Sequence, residues 1–341
     1  MLFRKRHDVI CIGSTSKDIF FPTGEGEILE TPDDLTAQRK VMFELGGKYR
    51  VEELYEAVGG VAANVAWGLT KLGVRAVPYS RIGGDETGHW ILHELKQAGV
   101  PTGGIFVDGS ARSDLSAIIV MTQGGERTIF HNRDANDRLE IVPKRLKGAE
   151  WFFVSAQNGN WEEKIRSIIG IAEAEGVRLA YNPGQHNLRE NPALAMEMVA
   201  KSEILAINKD EALELVMKSH PEATPENLND EKFLLTALLS AGARTIGMTD
   251  GDRGSWGADG TGFWYCPIGS VRKVVDTTGA GDSFTSAFFA AIAFHGKTVP
   301  EALQWGIAES GSVVGEYGAS AGLLDLEQLE CRVRELSVST L

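Results

Sequence analysis

Two glycines and an aspartate stand where an apolar run, VVD, gives way to a segment with no helix breaker, SAFFAAIAF; the join reads DTTGAGDSF, residues 276–284. Backbone amides at the start of a helix have no partner within it, and glycines let a ligand come close to them, so this join can cradle an anion. An aspartate beside that anion needs a task. Held at a helix N-terminus, Asp282 stays ionised at neutral pH and can accept the proton of a hydroxyl attacking a phosphoryl group. The plain alternative is an ordinary glycine-rich turn between a strand and a helix.

A second glycine pair opens GGVAANVAWGLTKLG, residues 59–73, and puts Asn64 within the first turn or so of a helix. Gly60 would give close backbone approach, and Asn64 would grip a ligand hydroxyl; otherwise the glycines only cap the helix. In RIGGDETG, residues 81–88, Asp85 or Thr87 caps the next helix, and no chemistry is assigned there. AIAFHGKT ends like a phosphate-binding P-loop, but that pattern needs a glycine where Ala291 stands and a preceding strand. Gly296 there is expected to end a helix.

Short β-rich runs alternate with helical segments: DVICIG, VAANVAWGLTKLG, AVPYSRIG and ETGHWILHELKQAG, then WFFVSA, EEKIRSIIGIAEAEG, VRLAYNP, EILAIN and KDEALELVMK. The alternation predicts a parallel sheet between two helix layers, wound right-handed. In EEKIRSIIGIAEAEG the apolar face meets the core, with Glu and Lys solvated. Two stretches break the rhythm. Residues 17–58 are turn-rich and charged, and residues 104–131 hold IFV, LSAIIVMT and RTIFH, with TQGGE as a turn; the latter stretch is expected to be antiparallel, and both are expected to form a lid. Neither can build its own core, so residues 1–341 are expected to be one domain.

With 341 residues, 43% of them hydrophobic, the chain can bury a sizeable core. The net charge of −13, with no basic stripe, argues against nucleic-acid or anionic-membrane partners. Cys11, Cys266 and Cys331 lie far apart, an odd set without CxxC spacing, which suits a reducing compartment. The apolar part of the N-terminus, about six residues, is short for a signal peptide, and no run nears the roughly 18 residues of a membrane span. A soluble, cytoplasmic protein is expected. The seven histidines show no metal-ligand spacing, and His131 and His186 are expected at the surface.

GGVAANVAWGLTKLG, RIGGDETG and DTTGAGDSF, in this order and at these distances, resemble the signature regions of the ribokinase-like (PfkB) carbohydrate kinases, over nearly the whole chain. The resemblance implies a three-layer α/β/α core with a small β-sheet lid, and transfer of the γ-phosphoryl of ATP to an alcohol. Gly279, Ala280 and Gly281 match the family's anion hole and Asp282 its catalytic base. Asp18, in GSTSKD, matches a sugar-binding aspartate alongside Gly60 and Asn64. Asn208 and Glu211 match an N-x-x-E pair that organises Mg²⁺ through water, and i,i+3 spacing sets them on one helical face. Thr249 and Gly251, in TIGMTDGDRG, match nucleotide-binding positions. Val61 departs from the family's small residue or lysine, and Glu309 and Ser310 from an asparagine near the nucleotide.

The expected acceptor is a sugar phosphorylated on a primary hydroxyl. GERTIFHNRDAND is similar to the lid region of fructokinase-like and 2-keto-3-deoxygluconate kinase-like members, which points Arg133 at the acceptor. A guanidinium fork suits hydroxyls or a carboxylate. Arg133 could instead pair with Asp134 or Asp137 in solvent. A nucleoside kinase is the alternative function; a silent ligand-binding protein of the same fold is the second, and the intact Asp282 argues against it. The lid leaves room for a homodimer.

Overall fold

The computed structural model describes residues 7–31, 39–51, 53–122, 127–269 and 274–341. The basic start Met1–Arg6, residues 32–38 of the first expected lid stretch and residues 123–126 of the TQGGE turn lie outside them.

Strand Val9–Ile12 shows how the core is layered. All four residues are buried. Ile10 and Ile12 join one apolar cluster, with Ile165, Met198 and Leu235, while Val9 and Cys11 join another, with Ala63, Ile91 and Phe288. Successive strand side chains point to opposite faces, so a strand that is apolar throughout needs a helix layer on each side. The result is an α/β/α sandwich.

Among the described residues its sheet has ten strands, in the order Ser339–Thr340, Gly262–Cys266, Ser255–Asp259, Thr245–Thr249, Ile204–Asn208, Arg178–Tyr181, Trp151–Val154, Val9–Ile12, Ala76–Gly83 and Ile105–Asp108. Neighbours run parallel from Ile105–Asp108 across to Thr245–Thr249, and the remaining pairings are antiparallel. Helices form where the alternation predicts them. Asp85 caps Glu86–Gln97 by accepting from the Gly88 amide, and Gly296, at φ 62°, follows Ala280–Phe294. Among the described residues no helix is long and apolar enough to cross a membrane.

A second sheet takes the order Tyr55–Gly59, Ser16–Thr23, Leu115–Met121 and Arg127–Asn132. It departs from the sequence expectation in two ways. Ile105–Asp108, which holds IFV, belongs to the large sheet, parallel to Ala76–Gly83. Ser16–Thr23 and Leu115–Met121 also run parallel, so only the Leu115–Met121 and Arg127–Asn132 pair of the later stretch is antiparallel. A period of two is common to both directions, so sequence alternation cannot choose between them. Glu27–Glu30 and Arg39–Met42 form a separate hairpin.

Lys164 is a further departure. It was expected in solvent as a lysine, but it falls on the buried face of the helix Trp161–Glu175 with Trp161, Ile165 and Ile168 and is only 7% exposed.

Candidate active site

The helix Ala280–Phe294 starts at Gly279, whose φ of 78° lies in the left-handed region. A Cβ on Gly279 would fall 2.2 Å from the Ala319 Cβ, so the chain itself requires glycine there. Gly281 differs: it has no positive φ, and a Cβ on it would meet nothing within 4 Å. Neither backbone conformation nor packing asks for glycine at 281. The space beside it is what a ligand would fill. Fully buried Asp276 holds the turn rigid, its Oδ1 accepting from the Thr278 amide and hydroxyl at 3.0 and 2.7 Å and its Oδ2 from the Gly318 amide at 3.1 Å.

In the first turn of the helix, Asp282 accepts a 2.7 Å hydrogen bond from Asn64 Nδ2. Asn64 comes from the other glycine-opened helix, Val61–Lys71, so the two sequence motifs meet across 218 positions. Burial pushes the Asp282 carboxyl up to about 6; the Asn64 bond opposes this, the Asp18 charge adds to it, and the Arg127 charge opposes it. The group is still mostly ionised at neutral pH. It is also a stronger base than an exposed aspartate.

Asp18 sits in Ser16–Thr23 of the small sheet and is 7% exposed. Burial raises its carboxyl, while hydrogen bonds from Ser116 and Ser16 and the Arg133 charge oppose the rise. It lies tightly against the start of helix Val61–Lys71: a Cβ on Gly59 would come 2.1 Å from Asp18 Oδ2. Gly60 has φ 88°, and a Cβ there would be 2.6 Å from the Ser14 carbonyl. Its close approach is therefore to the chain's own backbone.

Among the described residues, three polar atoms around this seam are buried without a partner: Asn64 Oδ1, Thr15 Oγ1 and Arg133 Nη1. Such groups are costly unless something donates to or accepts from them. Among the described residues no ion pair joins Arg133 to Asp134, one of the two carboxylates expected to hold it in solvent. Asp134 is taken by Arg138, at 2.7 Å, and by the Arg112 amide, at 2.8 Å.

Beyond Gly281 lie two adjoining cavities. The smaller, of about 160 Å³, is lined by Gly281, Asp282, Asn208, Glu211, Thr249 and Asn182 among others. Asn208 and Glu211 form a reciprocal helix cap, Asn208 Oδ1 accepting from the Glu211 amide at 2.8 Å and Glu211 Oε2 from the Asn208 amide at 3.3 Å. Burial pushes Glu211 up to about 8. The larger cavity, of about 440 Å³, is lined by Gly281, Ala280, Thr249, Gly251, Ser310 and Arg127 and also by the apolar Ile268, Val274 and Ile307. That mixture suits a flat, partly apolar ligand with a charged end at the turn. Glu309 faces elsewhere; fully buried and pushed up to about 8 by burial, it accepts from the Leu324 amide at 3.1 Å.

Arg127 and Asp276 are the residues the sequence reading did not single out. Arg127, at the start of Arg127–Asn132, crosses from the small sheet to hydrogen-bond the Thr277 hydroxyl, beside the glycine turn. Its only sequence signal was the GER that begins the quoted lid stretch. Asp276 was legible as D-T-T, a turn-forming pattern.

A doubly wound α/β/α core, a small sheet beside it and a glycine-opened helix carrying a half-buried aspartate together describe a phosphotransferase acting on small alcohols. The chain belongs to the pfkB family of carbohydrate kinases, whose model matches residues 7–326. It is an ATP-dependent carbohydrate kinase. It is 26% identical to the 5-dehydro-2-deoxygluconokinase of Halalkalibacterium halodurans, covering 82% of this chain and 86% of that one. With fructokinase-2 of Oryza sativa subsp. japonica the identity is 29%, over 79% and 82% of the two chains. The structure of Arabidopsis thaliana ribokinase complexed with ribose and ATP superposes with a TM-score of 0.75, at 20% identity, covering 96% of this chain and 99% of that one.

Proposed function

We propose that the protein transfers the γ-phosphoryl of ATP to a primary hydroxyl of a sugar or sugar acid lying between the two sheets. The observation that carries this reading is the Asp282–Asn64 pair at the open end of a helix, with Asn64 Oδ1 left unpartnered. Asp282 takes the hydroxyl proton as the oxygen attacks phosphorus. Asn64 aligns Asp282 and accepts from the acceptor through Oδ1, and Asp18 accepts a second acceptor hydroxyl. The first amides of Ala280–Phe294 offset charge on the transferring group, with Gly279 shaping the turn and Gly281 leaving the space beside it open. Arg133 Nη1 donates to an acceptor hydroxyl or carboxylate, consistent with its buried, unpartnered state.

Thr249 and Gly251 border the nucleotide's place, with Arg127 reaching it from the small sheet. For Mg²⁺, the donor set fits an ion that keeps most of its waters. Among the described residues no three acidic, histidine or cysteine side chains gather as a cage, and Glu211 and Asn208 stand at the edge of the smaller cavity with part of their polar capacity used in the cap. A nearby cation would favour ionised Glu211 and supply charge neutralisation at the phosphates.

We read the small sheet, Ser16–Thr23, Tyr55–Gly59, Leu115–Met121 and Arg127–Asn132, as the lid of one kinase domain. Its edge strand Arg127–Asn132 is exposed throughout, with Ile129 and Phe130 at 42% and 64%, and we assign it to pairing with a second copy. Sedimentation of wild type against Phe130→Lys checks this, a monomer being expected for the variant. The reducing cytoplasm is the compartment we assign, since Cys11, Cys266 and Cys331 are unpaired.

ADP release with ATP and Mg²⁺ across hexoses, pentoses, keto-sugar acids and nucleosides tests the main reading. Turnover of a sugar or sugar acid is expected. A nucleoside as the best acceptor would replace it with the nucleoside kinase reading, and no turnover with any acceptor would sink it.

A further inference from the structure

Outside the reacting groups, buried charge gathers around one short turn. Asp134–Asp137 follows directly on Arg133 where the chain leaves the small sheet. The Ala135 and Asn136 amides both donate to Asp114 Oδ1, at 3.0 and 3.3 Å, and Asn136 Nδ2 donates to Asp114 Oδ2 at 2.7 Å. Asp114 is fully buried. From the opposite side, Lys164 Nζ donates to the Asn136, Asp137 and Asn158 carbonyls at 3.4, 3.2 and 2.8 Å. A carboxylate thus holds the turn's amides and an ammonium its carbonyls.

The Asn136 side chain ties the same turn to both sheets. Its Nδ2 also donates to the Thr15 carbonyl, just before the small-sheet strand Ser16–Thr23, at 3.0 Å. Its Oδ1 accepts from Ser80 Oγ, in the large-sheet strand Ala76–Gly83, at 2.8 Å. Burial resists both charges, raising the Asp114 carboxyl and lowering Lys164 to about 8. Buried ionic groups add little stability over well-packed apolar ones, so stability alone is a weak reason for this arrangement. Their directionality fixes a position, which apolar contacts do less well.

We infer that Asp114 and Lys164 are positioning residues that clamp the turn Asp134–Asp137 from its two sides and so hold Arg133 in register with Asp18 over the acceptor. This rests on the reading of Arg133 as an acceptor contact. The Arg133 charge opposes the rise of the Asp114 carboxyl, as it does that of Asp18, so the guanidinium lies within electrostatic reach of two buried carboxylates.

The test is a double-mutant cycle on the full chain, with D-fructose or whichever acceptor in the panel turns over faster. Asp114→Asn and Lys164→Met are each made alone and together with Arg133→Ala. Alone, each is expected to raise the acceptor KM about tenfold while leaving the ATP KM within about twofold; added to Arg133→Ala, each should change the acceptor KM less than about twofold. A penalty that persists in full without Arg133, or a fall in Tm with unchanged kinetics, would overturn the inference, as would loss of the fold in both variants. If the wild type phosphorylates no acceptor, the reading of Arg133 fails separately, and hydrogen–deuterium exchange decides on the clamp. Faster exchange over residues 127–137 in both variants, with the large sheet unchanged, would uphold it; unchanged exchange there would overturn it.

Discussion

The two glycine-opened helices, Val61–Lys71 and Ala280–Phe294, look alike in sequence and differ in why they need glycine. At the first, Gly59 and Gly60 are required by the protein: one makes room for Asp18, and the other crosses the Ser14 backbone with φ 88°. At the second, Gly279 is required for the same kind of reason, against Ala319, but Gly281 is not. The first helix start is therefore filled by its own chain. The second has one position left open, next to the only acidic residue of its first turn, Asp282. A glycine that packing does not explain is better evidence for a ligand than a glycine-rich string.

The largest effect that could break this contrast belongs to Asp282. Asp282→Asn is expected to lower kcat by about 10²–10⁴, the usual worth of a general base, with Tm nearly unchanged because the amide keeps the carboxylate's shape. A purified, folded variant with more than about a tenth of wild-type kcat would remove Asp282 from the base role. The pH profile gives a second check. Burial raises the Asp282 carboxyl to about 6, and the base works only when deprotonated, so kcat/KM should fall as pH drops through about 6. Asp282→Asn should lose that limb.

Next in size come the glycines the chain requires. Gly60→Ala and Gly279→Ala each force a Cβ into backbone or a neighbouring Cβ, at about 1–3 kcal/mol for overpacking, with roughly 1–2 kcal/mol more for a left-handed alanine. Denaturant midpoints should fall for both. An unchanged midpoint at Gly60 would mean that its glycine serves a ligand after all.

Arg127 probes the open side of the contrast. Arg127→Met keeps the apolar stem but removes the charge beside Thr277, and should raise the ATP KM about tenfold with less effect on the acceptor KM. Equal effects on both would place Arg127 at the acceptor instead.

The core was legible because its central strands are apolar on both faces and several helices begin at recognisable caps; Asp85 behaves as its local pattern says, whereas Asn208 and Glu211, expected on one helical face, form a reciprocal cap with Asn208 at the end of a strand. What the sequence hid depends on distance or direction. Ile105–Asp108 is short and sits among hairpin-like runs, so its pairing with Ala76–Gly83 had no local mark. Lys164 was expected in solvent from its residue type alone, although it falls on the buried face of its helix with Trp161, Ile165 and Ile168, and the three carbonyls it meets there are supplied by other segments. Asn64 was expected to face a ligand alone, and the bond that commits half of its amide to Asp282 joins residues 218 apart. The family motif pointed to both residues without indicating that they touch.

Gly281→Ala carries the smallest expected effect and sharpens the contrast most. An alanine there meets no neighbour and suits a helical backbone better, so stability should rise by up to about 1 kcal/mol. The same methyl intrudes on the wall shared by the two cavities, where a phosphate approaching the amides would have to pass. A loss of about tenfold in kcat/KM for ATP, equivalent to roughly 1.4 kcal/mol, is expected alongside the higher Tm. Opposite signs in the two measurements are what separate this glycine from Gly60 and Gly279, where stability and activity should fall together. If Gly281→Ala is more stable and equally active, the open space beside it is not the phosphate path, and the anion cradle has to be moved toward the amides of Gly279 and Ala280.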